Sequence, residues 1–142
     1  MKQTFSLSFK GYQKKEELPE KSGIYLVYQL IQNPFLSIPQ RKLVYIGESD
    51  NMKTRQEEHY NNGDYPTNVK LEFSCAVINN EDDRKRCEAA LIYHKKPEWN
   101  KMNTKTFNYD QTTICSEGEH YDVPEKFTVN RYTSNFLGLN NG

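Results

Sequence analysis

The chain lacks most of the features that classify a protein at a glance. Its three cysteines, Cys75, Cys87 and Cys115, are odd in number, widely spaced and without a CxxC pair. That argues against a disulfide framework or a structural zinc site and reads as three reduced thiols. Net charge is absent too: 19 basic residues balance 19 acidic ones. There is therefore no global basic signature of a nucleic-acid binder, and a polyanion site has to come from local clustering. No apolar run reaches membrane-spanning length, and Met1-Lys2-Gln3-Thr4-Phe5 opens no signal-peptide pattern. The expectation is a cytoplasmic protein with no membrane partner. Internal repeats and low-complexity segments are also missing. A chain of 142 residues is expected to form one domain, 1–142.

What the chain has is tyrosine: ten of them, in an aromatic share of 13%. Two stand at matching places in apolar runs. Gly23-Ile24-Tyr25 opens the run to Ile31, and Tyr45-Ile46-Gly47 ends the run from Leu43. Both runs are rich in Ile, Val, Leu and Tyr and read as strands. The connector Gln32 to Arg41 contains Pro34 and Pro39 and reads as a loop, so the pair is an antiparallel hairpin with a long tip. Such a hairpin holds Tyr25 and Tyr45 on a rigid base. Tyr28 falls on the opposite strand face from Tyr25.

Around the hairpin, Phe5, Leu7 and Phe9 alternate with polar residues as a short strand with one buried face. Ser49 or Asp50 can cap a helix from about Asn51 to Tyr60, with Asn61-Asn62-Gly63 as its stop. Met52, Arg55 and His59 share one side of it. Val69 to Val77 alternates as a third strand of the central sheet. Asn80 then caps a helix from about Glu81 to Lys96, whose apolar stripe is Cys87, Leu91 and Ile92. Glu88 lies on that core-facing side, where a carboxylate is costly unless paired or bound to metal. Lys95, Lys96, Lys101 and Lys105 make the most basic short stretch. From Asp110 onward little regular pattern is visible; Phe127, Val129, Tyr132 and Phe136 suggest a terminal piece that packs back. His94 and His120 read as structural or surface residues.

From about Leu18 to Asn103 the residues resemble the GIY-YIG nuclease family. The name-giving motifs are Gly23-Ile24-Tyr25 and Tyr45-Ile46-Gly47, preceded by Leu18-Pro19. Arg55 stands eight residues after Gly47 and His59 four after Arg55. Glu88 to Ile92, with Lys96-Pro97-Glu98-Trp99-Asn100, is similar to the family's glutamate helix and following asparagine. Singly, each residue reads as an ordinary strand, helix-face or turn residue; the ordered set of six carries the resemblance. It implies an α+β fold, a central three-stranded antiparallel sheet flanked by helices. The core would be about 18–103, with an N-terminal addition and a C-terminal extension, 104–142, on it. It also implies metal-dependent hydrolysis of phosphodiesters in double-stranded DNA.

The chemistry of the side chains agrees. Glu88 supplies one hard oxygen ligand, which with phosphate oxygens and waters suits Mg²⁺, and Mn²⁺ could substitute. Arg55 can pair with phosphate through two parallel hydrogen bonds. The resemblance makes Tyr25 the general base, although a free phenol titrates near pH ~10 and needs help at neutrality. Tyr45 orients the water or a phosphate oxygen. His59 either relays protons with Tyr25 or binds phosphate, and Asn100 holds the surrounding structure in place. Candidate DNA contacts are Arg41, Lys53, Arg55, Lys95, Lys96 and Lys101.

The two motif tyrosines are twenty positions apart, further than in many family members. The connector carries Phe35, Leu36 and Ile38, suited to a DNA groove or a dimer interface. A compact chain without zinc-finger spacing reads as a site-specific restriction endonuclease. A phage-type or structure-selective endonuclease, or a non-catalytic DNA-binding module, is the alternative. One active site cuts one strand, so a double-strand break favours a homodimer or higher homo-oligomer on DNA.

Overall fold

The computed structural model describes residues 1–131. In chain order the elements are β1 (Gln3–Tyr12), β2 (Gly23–Ile31), β3 (Gln40–Ser49), α1 (Met52–Asn61), β4 (Leu71–Val77), α2 (Glu81–Lys95), β5 (Thr112–Gly118) and β6 (Lys126–Val129). All the strands join one six-stranded mixed sheet in the order β3-β2-β4-β1-β5-β6. The fold is α+β, but the sheet is larger than the three antiparallel strands expected. That unit survives as β3-β2-β4, with Tyr25 opposite Gly47 on one side and Cys75 on the other. The N-terminal strand is interior: β1 pairs antiparallel with β4 from Phe9↔Ala76 and parallel with β5 from Gln3↔Thr112.

The region beyond Asp110 also differs from expectation, because β5 and β6 are regular strands. Their signal was muted because β5 fills three of its four buried positions with Thr112, Thr113 and Ser116, leaving Ile114 as the apolar one. The two threonine hydroxyls are bonded inside the fold, whereas Ser116 Oγ is buried without a hydrogen-bond partner among the described residues. Arg86 Nε donates to Thr112 Oγ1 at 2.8 Å, and Thr113 and Thr128 share a bond of 2.8 Å. Phe127 and Val129 pack into the core; Tyr132 and Phe136 lie outside the described residues.

The sheet is covered on both faces, and strand alternation divides the core accordingly. Ile24, Leu26, Tyr28 and Ile46 pack with Cys87, Ala90, Leu91 and Ile92 of α2. Tyr25, Val27, Val44 and Phe73 pack with Met52 of α1, Leu18 and Tyr65. Tyr25 and Tyr28 are thus on opposite faces. Among the described residues no helix is long and apolar enough to cross a membrane.

Two local corrections bear on the site. The connector is shorter than read, since Gln40 and Arg41 already pair with Ile31 and Leu30. The cap of α1 is Asn51, whose side chain accepts from the Thr54 N–H at 3.1 Å. Ser49 instead braces the turn, its Oγ accepting from the Asn51 N–H at 3.0 Å.

Candidate active site

The site is assembled around β3, the edge strand next to β2. Its outer backbone would be an open row of donors and acceptors. The segment after α2 closes it. The Trp99 N–H donates to the Val44 carbonyl at 2.9 Å. The Asn100 amide then clasps Ile46 from both sides, accepting from its N–H and donating to its carbonyl, each at 2.9 Å. A register shift between Val27 and Tyr28 leaves Val44 as an extra residue. Val44 and Tyr45 therefore both pack on the α1 side.

The two glycine-tyrosine motifs have a steric logic. Tyr25 lies across Gly47, and a Cβ at Gly47 would fall inside the Tyr25 phenol. A Cβ at Gly23 would strike the Ala76 carbonyl and the Met52 methyl, so this glycine lets β4 and α1 close on β2. The phenol of Tyr25 is then fixed with its ring centroid 6.2 Å from that of Tyr45.

Helix α1 buries Met52, Gln56 and His59. Gly63, in the left-handed region at φ +69°, reverses the chain after the helix. The turn brings Asp64 back onto His59: its N–H donates to the His59 carbonyl at 2.9 Å. Its carboxylate Oδ2 lies 2.9 Å from His59 Nδ1. On the other side of the ring, His59 Nε2 is 2.9 Å from Tyr25 Oη. A carboxylate only accepts, so Nδ1 carries the proton and Nε2 is free to accept from the phenol. Both ring nitrogens are occupied by protein, which leaves none for phosphate.

Charge is distributed unevenly over this cluster. Burial, with Tyr45 beside it, raises the Tyr25 phenol well above its ordinary value, against the pull of Arg55. Tyr45 is also raised, by burial and by Glu88. His59 is lowered, chiefly by burial, with Asp64 opposing, so its neutral form is the resting one. Arg55 is half-buried, its Nη1 3.0 Å from the Glu58 carboxylate. Glu88 is half-buried on α2, and burial and then Glu48 push its carboxyl up to about 7. The neighbouring Glu48 is taken by the buried Arg84, Nε to Oε2 at 3.0 Å. Glu88 is thus a desolvated carboxylate short of positive charge.

That is the donor a divalent cation would relieve. Among the described residues no three His, Cys, Asp or Glu side chains converge, which rules out an all-protein cage there. A hydrated cation on one carboxylate, completed by substrate oxygens, fits what is present.

Of the six expected site residues, Tyr25 and Tyr45 each lie within electrostatic reach of Arg55 and Glu88, His59 is within reach of Arg55 and is bonded to Tyr25, and Asn100 grips the strand that carries Tyr45. The expected DNA contacts divide. Lys101 lines a cleft of about 400 Å³ with Tyr45, Glu88, Trp99 and Asn100. Lys53 stands on α1 without a side-chain partner among the described residues. Arg41 is not part of this cluster; its Nε bonds Glu72 at 2.8 Å and its guanidinium lies 4.5 Å from the Tyr121 ring centroid. Lys95 pairs with Asp122 at 3.3 Å, and Lys96 donates to the carbonyls of Tyr93 and Thr104. Sequence reasoning did not single out Asp64, Glu48, Arg84 or Trp99. Asp64 had one usable signal, a carboxylate directly after the glycine that stops the His59 helix.

Comparison with known proteins adds one partial likeness. Over 106 residues, 72% of this chain, it is 26% identical to UvrABC system protein C of Fervidobacterium nodosum (strain ATCC 35602 / DSM 5306 / Rt17-B1), and the chain covers 17% of that protein. No family model matches the chain, and no solved structure does.

Proposed function

We propose that the protein is a divalent-metal-dependent DNA endonuclease of the GIY-YIG kind, with Tyr25, Tyr45, Arg55, His59, Glu88 and Asn100 as its working residues. The observation that carries this reading is the chain Tyr25–His59–Asp64 set beside a desolvated Glu88 and a half-exposed arginine. The partial similarity to UvrABC system protein C, of which this chain covers 17%, is in keeping with this reading.

Hydrolysis needs a proton acceptor for the attacking water and compensation for charge on the phosphate. Buried Tyr25 stays a phenol at rest, so it serves as base by passing its own proton to His59 Nε2 as it takes one from water. Asp64 holds the imidazole in the accepting tautomer and stabilises the imidazolium that forms. Arg55 pairs with non-bridging phosphate oxygens. Tyr45 donates to the water or to a phosphate oxygen. Mg²⁺ or Mn²⁺ on Glu88 would polarise the phosphodiester and favour departure of the leaving oxygen. Asn100 acts on none of these atoms; it keeps Ile46, and so Tyr45, in register.

Within this class we read the chain as a site-specific restriction endonuclease acting as a homodimer on DNA, with a phage-type or structure-selective enzyme as the alternative. Digestion of unmodified plasmid and phage DNA with Mg²⁺ separates them. Discrete fragments lost in Glu88→Ala support the first, and smearing lost in Glu88→Ala supports the second. DNA binding without cleavage by the wild type would refute catalysis. Sedimentation of the protein on cleavable DNA as a monomer would refute the dimer.

A further inference from the structure

The wall of the cleft beside Glu88 differs from what phosphate chemistry calls for. A phosphodiester needs cations and hydrogen-bond donors. This cleft of about 400 Å³ has those in Lys101, Asn100 and Asn103, but its other side is Tyr45, Ile92, Trp99 and Met102. Its volume is within the range of small-ligand clefts, about 300–1,000 Å³. Met102 is 77% exposed, and Trp99 is half-buried.

Trp99 is a prepared surface. Its N–H is bonded to Val44, and one side of its ring is backed by Tyr65, with centroids 5.8 Å apart and planes 32° apart. Tyr65 in turn stacks on His59 at 4.9 Å, and its hydroxyl donates to Gln56 at 2.7 Å. A side chain so braced loses little freedom when a flat partner settles on it.

The charge inventory points the same way. The chain has no net charge, and four of its six candidate DNA cations, Arg41, Arg55, Lys95 and Lys96, are held by protein groups. Phosphate contacts alone are therefore few, and affinity must draw on something else. Aromatic platforms supply it by stacking on bases, which every base permits. In an intact duplex the base faces are already stacked on each other, so a platform finds a partner only in a nucleotide that is unpaired or turned out of the helix.

From this we propose that the Trp99–Tyr45 wall is a binding site for an unpaired nucleobase next to the cleaved phosphate. The preferred substrate is then DNA carrying such a nucleotide. This rests on the nuclease reading of the neighbouring site, and within that reading it favours the structure-selective alternative over the restriction enzyme.

Trp99 is the single tryptophan of the chain, so tryptophan emission, excited at the red edge where the ten tyrosines do not absorb, reports on this site alone. The test titrates the full chain, in EDTA to prevent cleavage, with oligonucleotides of one sequence. They are fully paired, paired with one central bulged nucleotide, or single-stranded. Expected is quenching of Trp99 by the bulged and single-stranded forms at about tenfold or more lower concentration than by the duplex. In parallel, 2-aminopurine at the bulge reads the base itself with Trp99→Phe and Trp99→Leu. Both keep an apolar side chain against Tyr65. Phe should retain the preference, and Leu should weaken bulge binding about 5- to 100-fold while leaving duplex binding unchanged. Equal affinity for the three forms, or binding with no change in Trp99 emission, would overturn the proposal. If the protein still cleaves DNA in Mg²⁺ in that case, the nuclease reading stands without it; if it neither binds nor cleaves DNA, both fall.

Discussion

Asp64 is the sharpest point at which to press the proposed chemistry. Its carboxylate touches no candidate substrate position and acts only through His59, at 2.9 Å from Nδ1. Asp64→Asn keeps the size and the turn after Gly63 but replaces an anionic acceptor with an amide. A hydrogen bond to a charged group is worth about 1.5–3 kcal/mol. The Asp64 side chain is 43% exposed, and solvent screening reduces that to about 1–2 kcal/mol. Lost at the stage where the imidazolium forms, this slows the reaction about 5- to 30-fold.

The pH profile carries a second signature with a definite sign. His59 must be neutral to accept a proton, and burial holds its pKa below the ordinary 6.5. The loss of activity that comes from protonating His59 therefore lies on the acid side of about 6.5. The groups facing the ring are Arg55 and Glu58 from its own helix, Tyr25 and Tyr45 from the two strands, and Tyr65 and Asp64 from the following turn. Of these, Asp64 is foremost among those raising the His59 pKa. Its removal moves the acid limb to lower pH while the plateau drops. Loosening of the site would do the opposite to the limb, since an exposed imidazole returns toward 6.5. The assay is the initial rate of plasmid nicking across pH, joined to nitrogen NMR of the imidazoles, which is tractable with three histidines in the chain. The wild type should show His59 protonated on Nδ1, the tautomer less common in free histidine. An Nε2-protonated His59, or a fully folded Asp64→Asn with wild-type rates at every pH, would rule out the Tyr25–His59–Asp64 relay.

Other consequences follow from the same geometry. Gly47→Ala places a methyl inside the Tyr25 phenol; chemical denaturation should show a loss of about 1–3 kcal/mol, with nicking reduced far more than stability. Burial and then Glu48 push the Glu88 carboxyl up to about 7 from the ordinary 4.5, so ionising it opposes folding increasingly from about pH 4.5 to 7. In EDTA, Glu88→Gln should therefore be more stable than wild type by about 1–3 kcal/mol above pH 7, the difference vanishing below about pH 4.5. A thermal melt series across pH checks the sign. Asn100→Ala leaves the Ile46 N–H and carbonyl without partners. It should cost about 1–3 kcal/mol in urea titration and lower the turnover rate more than DNA affinity.

The legible parts of the fold were those where pattern and local chemistry coincide. The hairpin of β2 and β3, the helix stop at Asn61-Asn62-Gly63 and the Asn80 cap of α2 were each marked by residues acting on their own neighbours. Asn80 indeed accepts from the Asp83 N–H at 2.9 Å. The sheet beyond three strands was not legible, because β1 and β5 are joined by contacts across more than a hundred residues and β5 buries threonines. The same holds within the site. Spacing along α1 put Arg55 and His59 on one side, but the partner that sets the state of His59 comes from the turn after the helix. Lys95 and Lys96 looked like a basic patch because a sequence shows charges and not their partners, Asp122 and the two carbonyls that hold them.

The most direct test of the central claim is single-turnover nicking of supercoiled plasmid by equal amounts of folded wild type, Glu88→Ala and Tyr25→Phe, with Mg²⁺ and with EDTA. Expected are nicking by the wild type in Mg²⁺, none in EDTA, and a loss of about a hundredfold or more in each variant. Equal nicking by wild type and Glu88→Ala, or nicking that persists in EDTA, would contradict it.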